Sequence, residues 1–451
     1  MRGAATGHAR YDRVERLGQC RELDCRFRAS GRGSPDGFTV SHLLLASGDP
    51  LYVFGVNLAV FIIAAVKVLV AFGALMGCVT LMIWFERKVI SGMQSRIGPN
   101  RWGPFGLLQT LADGIKLFFK EDLIPAQADR FTFKLAPYLA LVPALITFSI
   151  VPVGGTVTVA HHTFLLQVAD PPIGILLLLA MSGLSVYGVI LAGWSSGSKY
   201  PLMSSVRASA QMISYEAALG MTVVTVVLAT GSLSTHDIVT SQAHGVWHWN
   251  LIRLGIVPFV LFLISITAEL NRPPFDVVEA ESELVGGFHT EYSSIRFALF
   301  FLAEFMNTIT MSAVMVTLFF GGPAGYVPNI PHIQWVFPIL WFLGKTTLFC
   351  FAYVWFRAAL PRFRYDQLMD LGWKRLIPLS LAWMLLVAGF IISPAWGFAL
   401  AALSLVASTF LTRAFDIGLN REAGPDSVLP TVGERPLPPY ILRKLTDGDD
   451  H

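Results

Sequence analysis

Apolar runs of about twenty residues recur along this chain, and a run of that length crosses the hydrocarbon core of a bilayer as one helix. Hydropathy places eight of them at 62–85, 133–152, 172–194, 211–231, 251–269, 295–320, 335–356 and 376–393. A ninth, WGFALAALSLVASTFL, covers 396–411 behind the turn signal SPAWG. Only 14% of residues are charged, where a soluble domain carries roughly 25%. The expected fold is an all-α polytopic membrane protein: eight transmembrane helices, and a ninth C-terminal helix whose alternative is a re-entrant segment. A net charge of +3 supplies no general field for a polyanion, so nucleic acid is not an expected partner.

The connectors alternate in charge. Residues 87–134 hold eight Lys/Arg, 195–210 two, 272–296 two and 357–375 five, while 153–171, 232–250 and 321–335 hold none. Basic connectors stay in the cytoplasm. That rule puts the N-terminus outside and the large polar loops in the cytoplasm; the expected location is the inner (plasma) membrane of the cell. The eight Arg of the first fifty residues lie too far before the first span to weigh against it.

Four segments follow: a polar Arg-rich tail over 1–50, read as mobile or as an over-long translation start; a membrane domain over 51–395; the extra helix at 396–412; and a polar tail over 413–451 on the cytoplasmic side. One further element does not span. In PFGLLQTLADGIKLFFKED, Leu107, Leu108, Leu111, Ile115, Phe118 and Phe119 share one helical face, and Asp113, Lys116 and Lys120 the other. This amphipathic helix lies on the membrane surface or on a partner protein.

Ionisable residues inside spans are costly and need a partner or a polar cavity. Lys67, Glu216, Glu304 and Lys345 are such residues. Lys67, near a span end, can snorkel. Glu216 and Glu304 are candidate proton sites, with a hydrogen-bonded structural acid as the alternative, and Lys345 stands between the two readings. The densest acid lies in AELNRPPFDVVEAESELVGGFHTEYSS, residues 268–294, which carries Glu269, Asp276, Glu279, Glu281, Glu283 and Glu291 among only 30 acids in the chain. If 276–284 is helical, Asp276, Glu279 and Glu283 share a face. Apolar residues interleave with the acids, so burial and coupled titration are expected. A second polar stretch, FERKVISGMQSRIGPNRWGPFG, brings Glu86, Arg87, Lys88, Arg96 and Arg101 to the boundary of the first span. It serves as a positive-inside anchor or as a binding segment. Four cysteines without CxxC or a Cys/His cluster give no basis for an iron–sulfur or zinc site in this chain.

The stretches ERKVISGMQSRIGPNRWGPFGLLQTLADGIKLFFKED, ISYEAALG, AELNRPPFDVVEAESELVGGFHTEYSS, FALFFLAEFMN and PRFRYDQLMDLGWKRLIPL, in that order between Glu86 and about Leu379, resemble the H-subunit family of proton-pumping NADH–quinone oxidoreductase, respiratory complex I. Its mitochondrial relative is NADH dehydrogenase subunit 1. The resemblance implies docking to the soluble redox arm, whose partner subunits carry out NADH oxidation, and contact with small membrane subunits near the antiporter-like arm. It implies ubiquinone or menaquinone as substrate, and no flavin, iron–sulfur cluster, metal or catalytic residue in this chain. By position it makes Arg87, Arg96, Asp113, Phe301 and Arg357 candidates for lining or flanking a quinone tunnel. It makes Glu216, Glu269, Asp276, Glu279, Glu281 and Glu283 candidates for a proton path, with Glu86, Arg272, Glu291 and Glu304 as supporting charges. The family has eight spans, so the ninth run is a departure. Two rival readings are the homologous membrane component of a group 4 membrane-bound hydrogenase and a stand-alone ion-coupled transporter.

Overall fold

The computed structural model describes residues 58–159, 162–243, 245–277, 284–328, 334–395 and 397. Seven helices in it are long and apolar enough to span: α1 (Leu58–Met93), α3 (Arg130–Ser149), α4 (Gly174–Ser195), α5 (Lys199–Thr230), α8 (Ser294–Phe319), α9 (Val336–Ala359) and α10 (Tyr365–Ile392). Three shorter helices complete the set used below: α2 (Gln109–Phe119), α6 (Thr235–Ser241) and the apolar α7 (Ile256–Glu269). The seven long helices and α7 fit the expected all-α membrane class, and they stand at the eight expected positions. The ninth run and both tails lie outside the described residues, apart from Gly397.

Helix α8 is the hub. Of its apolar window 72% is buried inside the protein, against 11% for α1 and 22% for α10. Met311, Val314, Met315, Leu318 and Phe319 of α8 join Leu178 of α4, Leu219 and Val223 of α5, Phe262 and Ile266 of α7 and Phe349 of α9 in the main core. Lipid is as apolar as leucine, so helices associate through close packing. Gly188 of α4 shows this: a Cβ there would sit 2.8 Å from the backbone nitrogen of Ala140 in α3.

Three local results differ from what hydropathy alone indicates. The fifth apolar run covers 251–269, but its helix begins at Ile256. The backbone turns at Gly255, with φ 82°, a left-handed angle that glycine takes without strain. Second, the connector after α3 carries a β-hairpin, with β1 (Thr156–Val159) antiparallel to β2 (His162–Leu165) and Thr156 opposite Leu165. Third, α1 and α5 outrun the hydropathy windows. Glu86, Arg87 and Lys88 are therefore helical, and Glu216 lies in the middle of a 32-residue helix.

A polar knot closes the hairpin side. Gln167 donates to the Ile150 carbonyl (2.9 Å) and to Thr235 Oγ1 (2.8 Å), and Ser234 donates to Asp170 Oδ1 (2.8 Å). Burial pushes the Asp170 carboxyl above its usual range, against the hydrogen bond from Ser234 and the nearby His236. A raised folded-state value means that Asp170 contributes stability below the ordinary carboxylate range and loses it as pH rises through the shifted one. Asp170→Asn keeps an acceptor for Ser234 and removes the charge. The variant is expected to melt higher than the parent at pH 8 and to lose part of the parent's decline in stability as pH rises from the ordinary carboxylate range upward, as read by thermal unfolding in detergent.

Candidate functional site

The chain 94–108 doubles back on the end of α1. Trp84 Nε1 donates to the Phe105 carbonyl at 3.0 Å, and Lys88 Nζ reaches the Pro99 carbonyl at 3.4 Å. Gly106, at φ 77°, passes so close to Pro99 that a Cβ would lie 2.3 Å from its carbonyl oxygen. This crossing delivers α2 alongside α1, where Arg87 pairs with Asp113 at 2.5 Å and Gln109 Nε2 donates to the other Asp113 oxygen at 3.2 Å. The far end of α2 is fastened to the start of α8. Ser294 Oγ donates to the carbonyls of Leu117 (3.0 Å) or Lys120 (2.7 Å), and Arg296 pairs with Asp122 at 2.9 Å. The apolar face expected of this helix is real and uncovered: Leu111, Ile115, Phe118 and Phe119 are all more than half exposed.

Beneath this shelf lies a buried charge chain. Arg272 Nη1 lies 3.3 Å from Glu86 Oε2, and Arg272 Nε lies 3.1 Å from Glu304 Oε1. Arg357 binds the other Glu86 oxygen. The guanidinium carbon of Arg272 stands 4.7 Å over the Phe305 ring. Arg272 and Glu86 are almost wholly buried, while Arg357 is 39% exposed and opens the chain to the surface. Phe301 stacks on Phe297 and meets Phe305 at a tilt along the same face of α8. Arg96 is exposed in the 94–108 loop and touches Gln94. Glu291 is half-buried in the turn before α8 and joins no ion pair among the described residues.

Residues 270–277, after α7, fold back under α5. Gln211 Nε2 donates to the carbonyls of Ala268 (2.8 Å) and Phe275 (2.9 Å). Asp276 is buried and pairs with Arg362 at 2.9 Å. Residues 276–277 are not helical, so the expected helical face shared by Asp276, Glu279 and Glu283 does not begin at Asp276. Two consecutive turns take the place of a helix there: the Phe275 amide closes on the Arg272 carbonyl and the Val277 amide on the Phe275 carbonyl. Glu279, Glu281 and Glu283 lie outside the described residues.

Inside the bundle, Glu216 of α5 and Glu269 at the end of α7 face Ser182 of α4, whose hydroxyl is 3.5 Å from Glu216 Oε1. A π-helical turn at Leu371–Leu376 in α10 packs against the neighbouring Ser214 and Tyr215 of α5. It places Trp373 Nε1 3.0 Å from Ser214 Oγ, and the Leu368 carbonyl accepts from the Tyr215 hydroxyl at 2.9 Å. Nothing in the sequence periodicity marks that wide turn, a feature that recurs at functional sites.

Of the two charged lysines in spans, Lys67 lies 5.7 Å from the Phe164 ring of the hairpin. Lys345 donates to the carbonyls of Phe320, Gly322 and Ala324 at 2.8–3.0 Å, tying α9 to the end of α8. Outside the spans, burial raises the Tyr292 phenol to about 12. Its ring stacks on Phe133 with centroids 4.0 Å apart.

Comparison with known proteins agrees with this arrangement. A family model described as NADH dehydrogenase matches residues 66–388. The H subunit of the NADH-quinone oxidoreductase of Frankia alni is 50% identical over 358 residues, covering 78% of each chain. An H subunit of the Koribacter versatilis NADH-quinone oxidoreductase, the one numbered 2, is 47% identical over 349 residues, which are 74% of this chain and 99% of the relative. The corresponding H subunit of Frankia casuarinae is 51% identical over 336 residues, 73% of each. The match takes in α2, the buried charge chain and both membrane carboxylates, and the chain belongs to the H-subunit family of NADH-quinone oxidoreductase.

Proposed function

We propose that this chain forms the tunnel through which quinone reaches the junction with the soluble redox arm, and that it couples quinone reduction to proton translocation. The observation that carries the reading is the buried chain from Arg357 through Glu86 and Arg272 to Glu304, with Glu216 and Glu269 deeper in the same bundle. Ionised groups buried in a membrane domain cost several kcal/mol each. A fold does not gather six ionisable groups, three of them almost wholly buried, beside a surface shelf for packing alone.

In this reading Arg87, Asp113, Arg96, Phe301 and Arg357 line or flank the tunnel. The uncovered apolar face of α2 meets lipid, partner subunits or both, and admits the isoprenoid tail. Quinone reduction takes up two electrons and two protons, and the electrons come from the soluble arm's subunits. The resulting change in charge acts on Glu86, Arg272 and Glu304, then on Glu216 and Glu269. Two unit charges about 4 Å apart interact by ~4 kcal/mol at an effective dielectric near 20. That is enough to decide a protonation state. Asp276, Glu279, Glu281 and Glu283 extend the carboxylate path toward the antiporter-like subunits. The shelf side faces the cytoplasm and the hairpin side the exterior of the plasma membrane. Residues 51–395 act as the membrane domain, 396–412 as an added helix, and the tails 1–50 and 413–451 flank them.

A photoreactive quinone analogue tests the tunnel. With the intact complex, label is expected in the peptides spanning 87–119 and 297–305, and a quinone-site inhibitor should suppress it. Labelling confined to other subunits, or indifferent to the inhibitor, would sink the tunnel assignment.

A further inference from the structure

Helix α4 contains four glycines, and their surroundings differ. A Cβ on Gly188 would sit 2.8 Å from the Ala140 nitrogen, and one on Gly193 2.5 Å from the Pro201 carbonyl oxygen. Those two admit a neighbouring backbone, as small residues do where membrane helices cross closely. A Cβ on Gly174 would meet nothing closer than 3.6 Å. Gly183 faces something else. The three atoms nearest to a Cβ there all belong to the Glu216 carboxyl group of α5, with Oε1 at 3.0 Å and Oε2 at 3.7 Å. The first distance is tighter than a carbon and an oxygen normally approach, so a methyl group on residue 183 would push the carboxyl group away from α4.

What the carboxyl group would be pushed away from is Ser182. Glu216 Oε1 lies 3.5 Å from the Ser182 hydroxyl, at the outer limit of a hydrogen bond. Ser182 is 6% exposed, and its hydroxyl also reaches the Leu179 carbonyl at 2.9 Å. A hydroxyl has one proton to donate. It serves the helix carbonyl or the carboxylate, and an ionised acceptor holds it more strongly. On the other side of the carboxyl group the turn after Glu216 carries Gly220, where a Cβ would meet nothing within 4 Å. Gly183, Glu216 and Gly220 are all half-buried. A carboxyl group displaced from α4 therefore has open space on the Gly220 side.

We propose that Gly183 is a positioning residue for Glu216. By carrying no side chain it lets the Glu216 carboxyl group lie against α4 beside Ser182, where the hydroxyl turns from the Leu179 carbonyl to the carboxylate when Glu216 ionises. No covalent bond changes. The positioning rests on the geometry of α4 and α5 alone; its effect on turnover rests on the carboxylate path proposed above.

The test uses the assembled complex in native membranes and dicyclohexylcarbodiimide, an apolar reagent that modifies protonated carboxyl groups within membrane spans. Modification of Glu216 is followed by mass spectrometry. Gly183→Ala is expected to raise the rate at Glu216 about threefold, the size of one modest hydrogen bond, because the carboxyl group leaves Ser182 for the open side. Ser182→Ala should raise it similarly, and the two substitutions together no further, since both remove one contact. Gly220→Ala adds the same methyl group where it meets nothing, and should leave the rate unchanged. Alanine favours a helix over glycine, so Gly183→Ala does not weaken α4 itself. An unchanged rate in Gly183→Ala overturns the proposal, as does an equal rise in Gly220→Ala or a double variant whose rise is the product of the two single ones. Failure of Gly183→Ala to assemble would make Gly183 a packing glycine like Gly188, and overturns it too. The kcat for coupled quinone reduction in Gly183→Ala is expected to fall about threefold, again one hydrogen bond, with the quinone KM unchanged. If labelling responds as described while kcat stays at the parent value, the positioning stands and the carboxylate-path reading fails at Glu216.

Discussion

Arg272→Met is expected to prevent accumulation of the assembled complex. Arg272 is 4% exposed and is shared by Glu86 and Glu304 at 3.3 and 3.1 Å. Removing one partner of a buried ion pair costs about 3–5 kcal/mol, because the charge left behind can no longer reach water. Here two carboxylates lose their cation together. Arg357 alone then faces Glu86, and it is itself 39% exposed. Net stabilities of about 5–15 kcal/mol leave little room for such a loss. Arg272→Lys keeps the charge, yet it cannot address Glu86 and Glu304 from two nitrogens while standing over the Phe305 ring. An intermediate loss of about 1–2 kcal/mol is expected there. The decisive comparison is Glu86→Gln with Arg272→Met, which removes charge of both signs. Complex yield on native gels should recover partly in the double variant. Normal yield in Arg272→Met alone would mean that Glu86 and Glu304 are neutralised by something other than this arginine.

The spans are legible in the sequence because twenty apolar residues in a row have few other uses. Length and hydropathy are local properties, and eight helices stand where they indicate. The amphipathic helix is readable for the same reason, since the spacing from Leu111 to Phe119 is a property of the segment alone. What stays hidden is relational. Glu86 and Arg272 are 186 residues apart in sequence, and no periodicity connects them. The break at Gly255 is invisible because hydropathy weighs side chains and not backbone angles. The hairpin at 156–165 lies in a connector distinguished only by its lack of basic residues, although TVTV has the β-branched alternation of a strand.

Glu269→Gln should leave the complex assembled and reduce proton-coupled quinone reduction by about tenfold or more. Glutamine has nearly the volume of glutamate and can still meet Ser182, so the packing of α4, α5 and α7 survives. What disappears is the ability to gain and lose a charge. Glu269 is 8% exposed and lies within the field of Glu216. Sharing the Ser182 hydroxyl, the pair is expected to titrate as one unit. If that unit must change charge in each cycle, a barrier increase of only about 1.4 kcal/mol already costs a factor of ten, and a fixed neutral amide costs more than that. The readout is NADH-driven acidification of inverted vesicles, compared with quinone reduction in the same preparation. Because the pair acts as a unit, Glu216→Gln with Glu269→Gln should be no slower than the slower single variant, in the manner of catalytic groups that share one task. A double variant whose loss is the product of the two single losses would show two independent acids. Full vesicle acidification in Glu269→Gln would move the proton route away from α7 altogether, toward the carboxylates of the 276–283 segment.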